Sequence, residues 1–370
     1  MMISSEFKKI FDELEDGHIK LSEQLNALSM RDDYFYERLN EEMERFEPWR
    51  FQQMDLLGMH IENFNDEQKE VHRRYVRGTR YFEIVQDAPF YWRIMNKPNG
   101  YAGDAHMMRF IYRNQFEGET PFGMFLHKHA CETKACVAVR NRKKFLNNQI
   151  MKIGGGKVLS LAAGPAEEIR EVLDNEMAAR KYEFLALDHD MDALMTFNAS
   201  HENNRFKYAL ANAFQIISGN YMMVRPRKYA EKYCVPRKDF QGWRRVLSFL
   251  KYEVNHLATN GFDLVYSSGL YDYIQAFPLD DTKGVVALTR NLFSMVKPGG
   301  SLIIGNFSHN NPRDLKFCME YVYDWRLIYR NKEEMINFAR AIPEQQIARI
   351  DVLEEQAGIN YFLKIDKAGI

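Results

Sequence analysis

Apolar positions change period along this chain. Over residues 1 to about 90, Ile10, Leu14, Leu21, Leu25 and Leu28 recur at helical spacing between charged residues, which predicts amphipathic helices. Pro48 and Pro89 are expected to interrupt that pattern. The segment NKPNGYAGDA, residues 96–105, reads as a loop, with helices following near 104–115 and 121–150. Gly154-Gly155-Gly156 marks a hinge. From Lys157 the period shortens. Strands are predicted at 158–162, 183–188, 206–211, 262–268 and 301–307. Helices are predicted between and after them at 166–180, 190–200, 280–296 and 311–323. Segments 347–355 and 360–366 close the chain as a hairpin. The expectation is an α/β sheet, mostly parallel with an antiparallel terminal hairpin, behind a helical N-terminal domain. The boundary is placed at 150: a helical cap or arm over 1–150, and the sheet domain over 151–370 with an insertion at 213–261.

Composition narrows the classes. The chain has 370 residues, 46% apolar and 27% charged, which suits a globular protein with a real core. A net charge of −1 predicts neither nucleic-acid nor membrane binding. The polar start MMISSEFKKIFDELEDG lacks the apolar run of a secretory signal, and no apolar stretch has the ~20 residues of a membrane span. Four cysteines make no disulfide framework, so a cytoplasmic location is expected.

The stretch KVLSLAAGPAEEI, residues 157–169, carries the most chemistry. It reads as a buried strand, a small-residue turn and a helix opening on two glutamates. The next strand, FLAL, ends in Asp188. A turn under a helix N-terminus with an acid closing the following strand is a nucleotide-binding half-fold. Only Gly164 is retained in the turn, so no G-x-G-x-x-G cradle for a diphosphate exists.

Five segments follow in order: VLSLAAGP, LALDHD, ANAFQ, FDLVYSSGLYDYI and LFSMVKPGGSLIIGNF. Together they resemble class I S-adenosylmethionine-dependent methyltransferases, over about residues 150–370. Those enzymes have a Rossmann-like sheet that ends in a hairpin, where dehydrogenases add another parallel unit. A narrower resemblance, over about 90–340, rests on PNGYAGDAHMMRFIY, VRNRKKFL and DWRLIYRNKEEM. These look like bacterial methyltransferases that make 3-hydroxy-fatty-acid methyl esters as quorum signals. The departures are Ser160 where the family has an acid, Ala162 and Ala166 where it has glycine, and Asn212 where aspartate is usual. Alanine is expected to cost little there, provided φ stays negative.

The resemblance implies S-adenosyl-L-methionine as cofactor. Asp188 would accept from the ribose hydroxyls, with helix capping as its alternative role. His189 or Met191 would flank the adenine, and Asn212, Ala213 and Phe214 would meet its far end, Phe214 alternatively packing in the core. Ser160 and the backbone from Leu161 through Ala162 to Gly164 would meet the methionine tail. Tyr101, Asp104 and Arg142 join them, Asp104 on the ammonium and Arg142 on the carboxylate; capping for Asp104 and a solvated position for Arg142 stay open. Ser268 and Gly269 lie past the fourth strand, at the edge where ligands bind in open α/β sheets. Tyr271 would bound the methyl-transfer site, and His309 would act as base or acceptor donor.

Within 221–251 stand nine Lys/Arg, Arg225 to Lys251, interleaved with Tyr221, Tyr229, Tyr233, Phe240, Trp243 and Phe249. A lid over an anionic, partly apolar substrate, an RNA contact and a solvated helix pair all fit this pattern. His127, His129, Cys131 and Cys136 lack the spacing of a tetrahedral zinc site, so no metal is expected. The resulting expectation is a methyltransferase acting on a carboxylate or hydroxyl of a small, apolar acid. Its partner would be a small acidic molecule rather than nucleic acid, with a homodimer through the helical region. An RNA or protein methyltransferase and a catalytically inactive binding module are the alternatives.

Overall fold

In the computed structural model the described residues are 2–190, 193, 205–226 and 252–369. The predicted helix 190–200, Met191 and the basic stretch 227–251 therefore fall almost wholly outside them. The chain divides into two compact units: Met1–Arg140 with Asn310–Leu327, and Asn141–His309 with Ile328–Ile370.

The first unit is helical among its described residues. It contains α1 (Ser5–Asn26), α2 (Phe35–Ile61), α3 (Asp66–Arg77), α4 (Arg80–Ile84), α5 (Pro89–Asn96), α6 (Ala105–Arg113) and α7 (Pro121–Glu132), and α8 (Lys134–Lys152) starts in it. In α1 the Ser4 hydroxyl caps the first turn by accepting from Phe7 N, and Phe7, Phe11, Leu14, Leu21 and Leu25 bury one stripe. Phe11 meets Tyr81 edge-on at 5.5 Å between ring centroids. The two prolines do different work from that expected. Pro89 is the first residue of α5, where its missing N–H costs nothing. Pro48 lies inside α2, which continues past it to Ile61 because Phe46, Met54 and Leu57 bury the helix on both sides of the lost hydrogen bond.

Residues 310–327 join this helical unit, although the strand before them and the segment after them belong to the sheet. The helix Arg313–Phe317 packs on α2 at Gly58, and a π-helical turn, Cys318–Val322, follows it. A Cβ on Gly58 would stand 2.8 Å from Arg313 O, so only glycine allows the approach. Arg313 also forks onto Asp55 at 3.1 and 3.0 Å.

The second unit is a sheet of β1 (Gly156–Leu161), β2 (Tyr182–Asp188), β3 (Phe206–Leu210), β4 (Met222–Pro226), β5 (Tyr252–His256), β6 (Phe262–Ser267), β7 (Val296–Phe307), β8 (Ile347–Glu354) and β9 (Asn360–Lys367). The order is β5-β4-β3-β2-β1-β6-β7-β9-β8. Strands β3, β2, β1, β6 and β7 are parallel; β9 runs antiparallel between β7 and β8. The antiparallel pair β4–β5, which extends the sheet past β3, was not foreseen. Both strands are five residues long and sit within the insertion expected at 213–261.

Side chains alternate across the central strands as the pleat requires. Leu159, Leu187, Val265, Ile304 and Leu363 pack to one face with the helix Gly284–Met295. Val158, Ala186, Tyr208, Tyr266 and Phe362 pack to the other with Leu146 and Ile150 of α8 and Ile169 and Val172 of α9 (Glu167–Leu173). The segment Lys297-Pro298-Gly299-Gly300 bulges rather than turns. Val296 already pairs with Phe262, and regular pairing resumes at Leu264 with Ser301.

Alanine outranks glycine in helix propensity by about 0.8–1 kcal/mol, yet Gly58→Ala must push Arg313 off α2. We expect this variant to lose about 1–3 kcal/mol of stability, as overpacked cores do, read as a lower midpoint in thermal unfolding.

Candidate functional site

The parallel strands β1, β2, β3, β6 and β7 end along one edge, and the polar residues gather there. After Leu161 the chain makes a loop, Ala162 to Ala166, before α9 begins at Glu167. Ala162, Gly164 and Ala166 all have left-handed backbones, with φ of +55°, +53° and +47°. The expectation of negative φ at the alanines is therefore corrected: each pays the Cβ–carbonyl crowding that glycine would avoid. The loop is held by Ala163 N donating to Leu187 O at 3.0 Å, Ala166 N to Ala163 O at 2.9 Å, and Gly164 N to Asp188 Oδ2 at 2.8 Å. A side chain at Gly164 would meet none of the described residues within 4 Å.

Asp188 is buried at the end of β2. Its Oδ1 accepts from Asp190 N at 3.0 Å, and the exposed His189 ring stands 3.2 Å from the same oxygen. One strand further, Asn212 caps the helix Ala213–Ile217 by accepting from Phe214 N at 2.9 Å. Ala213 is half-buried against the core, and Phe214 is 71% exposed rather than packed. The structure thus brings Ala162, Gly164, Asp188, His189, Asn212, Ala213 and Phe214 along the ends of three adjacent strands. Ser160 lies within β1, fully buried.

On the β6 side, Arg142 of α8 is buried, its guanidinium 3.6 Å from where a Cβ of Gly269 would stand. Two buried carboxylates feel its charge. Glu168, in the first turn of α9, accepts from the Tyr266 hydroxyl at 2.7 Å; burial raises its pKa, and Tyr266 and Arg142 oppose that rise. Asp272 is raised to about 6 by burial, against the Phe307 N–H it accepts at 2.7 Å and the charges of Arg142 and Arg330. Ser268 is half-buried, and the Oγ of neighbouring Ser267 is buried without a hydrogen-bond partner. His309 is exposed just past β7, its ring 6.5 Å from that of Tyr361.

Two expected positions differ. Tyr271 is fully buried: its hydroxyl meets Thr289 Oγ1 at 3.1 Å and its ring stacks on Phe338 at 5.5 Å. The helical turn Tyr271–Tyr273 points this side chain into the core, so it bounds no open site, and the exposed ring is Tyr273. Asp104 is committed within the helical unit. It caps α6 by accepting from Met107 N at 2.8 Å and chelates Arg93. Tyr101 is also in that unit, in the loop before α6.

Sequence reasoning missed Glu168, Asp272 and Arg330. Glu168 looked like one of two acids opening a helix, and nothing local reveals that it, rather than Glu167, turns inward. Arg330 stood inside the quoted segment DWRLIYRNKEEM with no role attached. His127, His129 and Cys131 are all buried; His127 Nδ1 accepts from Phe90 N at 3.2 Å and His129 meets Glu47. Among the described residues no cluster suited to a metal ion occurs.

No protein-family model matches the chain, and no curated protein does. Several solved structures show low similarity to it. A protein from Bordetella parapertussis, described as a possible exported protein, is 14% identical, with 92% of this chain and 100% of that one aligned at a TM-score of 0.49. The 1,6-didemethyltoxoflavin-N1-methyltransferase of Burkholderia thailandensis, with S-adenosylhomocysteine bound, is 13% identical over 63% of this chain and 79% of its own, at 0.37. An S-adenosylmethionine-dependent methyltransferase of Mesorhizobium loti is 13% identical over 57% and 91%, at 0.35. None of these reaches a TM-score of 0.5, and none identifies this chain.

Two variants check this geometry. Ala162→Gly relieves a left-handed alanine worth about 1–2 kcal/mol and adds back about 0.4–1 kcal/mol of unfolded-chain entropy. A small net gain in unfolding midpoint is expected. Asp272 holds its proton more tightly folded than unfolded. Its protonated form therefore supports the fold below about pH 4, and that contribution is lost as pH rises through about 6. Asp272→Asn should remove the loss, giving about 1–3 kcal/mol more stability at pH 7.5 than wild type and little difference at pH 4. Urea unfolding at the two pH values reads the difference.

Proposed function

We propose that the sheet unit binds S-adenosylmethionine along the ends of β1, β2 and β3 and methylates a carboxylate or hydroxyl of a small, apolar acid. The observation that carries this reading is the strand order β3-β2-β1-β6-β7-β9-β8 with β9 antiparallel between its neighbours. This is the arrangement of class I methyltransferases, and a dehydrogenase sheet would continue in parallel. Among the described residues no helix is long and apolar enough to cross a membrane.

The residues present fit the cofactor's parts. A carboxylate offers about four acceptor positions; the N–H groups of Gly164 and Asp190 take two at Asp188 and the His189 ring stands at a third, which leaves capacity for a ribose hydroxyl. Phe214 and His189 offer exposed rings to an adenine. The side of Gly164 that meets none of the described residues would give the methionine tail close access to backbone, and Arg142 supplies positive charge at the neighbouring edge.

When bound, the cofactor supplies a methyl carbon already activated by its sulfonium. The chain's part is then alignment and exclusion of water. Ser268 and Gly269 follow the end of β6, and the exposed Tyr273 and His309 follow the ends of β6 and β7; these residues would meet the acceptor. A carboxylate acceptor is ionised at pH 7 and needs no base. For a hydroxyl acceptor, His309 would take the proton on a ring nitrogen.

Calorimetric titration with S-adenosylmethionine should give micromolar binding, weakened at least about 30-fold, or about 2 kcal/mol, in Asp188→Ala. With isotopically labelled cofactor and cell extract, label should pass to a lipid-soluble ester or ether. Label confined to RNA or protein would defeat the acceptor assignment, and absence of binding would leave a non-catalytic module.

A further inference from the structure

Arg330 belongs to no strand or helix of the sheet unit, yet its guanidinium donates three hydrogen bonds there. It is 3% exposed. Its Nη1 donates to Tyr271 O at 2.7 Å and Asn306 Oδ1 at 2.6 Å, and its Nη2 donates to Ile274 O at 2.5 Å. Its cation lies 5.1 Å from the centroid of Phe338. The backbone is fixed as firmly. Arg330 N donates to Phe307 O at 3.1 Å, His309 N donates to Arg330 O at 3.0 Å, and residue 330 bridges Ser308 in parallel.

Three separate passes of chain meet at this one guanidinium. The carbonyls of Tyr271 and Ile274 are the two ends of the turn that follows β6. Asn306 is near the end of β7, and its Nδ2 donates to Phe307 O and Ile328 O, both at 2.9 Å. Asp272, inside the turn, ties the same passes a second time. Its carboxylate accepts from Phe307 N at 2.7 Å and its carbonyl from Ile328 N at 2.8 Å. The turn carries Tyr273 outward, directly after Ser268 and Gly269, and the β7 end carries His309. A planar fork can span two carbonyls and an amide oxygen at once, which an ammonium on a flexible stem cannot.

We propose that Arg330 is the positioning residue of the acceptor side of this site. It fixes the β6 turn against the end of β7, so that the Ser268–Gly269 backbone, Tyr273 and His309 meet the methyl acceptor in one geometry. This rests on the methyltransferase reading above. It also gives a role to DWRLIYRNKEEM, which the cofactor assignment leaves unused.

The test compares wild type with Arg330→Lys and Arg330→Ala in the full chain. In Arg330→Lys the affinity for S-adenosylmethionine should stay within about twofold, because the β1–β2 end is untouched. Its kcat/KM for the acceptor isolated from the labelling experiment should fall about 10- to 100-fold, as misplacement of reacting groups does. Added guanidinium should restore part of the activity of Arg330→Ala, and added ammonium should not. Deuterium uptake over residues 270–276 should rise in Arg330→Lys while residues 161–166 keep their protection. A variant with wild-type acceptor kinetics, or with equal loss at cofactor and acceptor, would overturn the proposal. If wild type itself transfers no methyl group, the reading of function fails. The exchange pattern then decides the turn-holding role alone: unchanged uptake over 270–276 would overturn that too. Should Arg330→Ala fail to fold, Arg330→Lys carries every comparison except the rescue.

Discussion

The hydrogen bond from Gly164 N to the Asp188 carboxylate is the constraint on which the site depends. It joins the loop after β1 to the end of β2 across two adjacent parallel strands. A loop with three left-handed residues within five positions is not a conformation such a chain takes by itself, since two of the three are alanines. The carboxylate accepts from the loop at its centre, and Ala163 N is tied to Leu187 O beside it. Strain in the loop is thus offset by bonds from β2, a common price of a preformed binding edge.

A second polar lattice organises the other half of the edge. Burial holds the Glu168 and Asp272 carboxyls above the usual carboxylate range, and the charge of buried Arg142 opposes that rise in both. Buried charge of this kind costs stability unless it is paired and hydrogen-bonded. The Tyr266 hydroxyl and the Phe307 N–H supply such bonds to the two carboxylates. The two lattices differ in composition. The β1–β2 end is made of backbone donors and one acid, whereas the β6–β7 end adds the buried side chains of Asp272, Asn306 and Arg330 to its backbone groups.

Much of this was legible in the pattern of apolar residues. Strands β1, β2, β3, β6 and β7 and the terminal hairpin are dense in Val, Leu, Ile and Phe and pack on both faces, so their period stands out. Asp188 was legible because a lone acid ends an apolar run. Strands β4 and β5 were not, because five residues at a sheet edge carry too little apolar signal against basic and aromatic neighbours. The excursion of residues 310–327 into the helical unit was also hidden: its helical pattern is real, but periodicity does not say which core a helix joins. Tyr271 and Asp104 show the same limit at single residues. A tyrosine after a strand end and an acid before a helix read alike whether they face a ligand, a core or a cap.

A crystal structure with S-adenosylhomocysteine tests the central claim most directly. The ribose hydroxyls should lie within hydrogen-bonding distance of Asp188, the adenine beside Phe214 or His189, and the amino-acid tail along Ala162–Gly164. Density for the nucleoside anywhere other than the ends of β1, β2 and β3, or a Gly164–Asp188 loop that closes over that edge and leaves the ligand out, would contradict it.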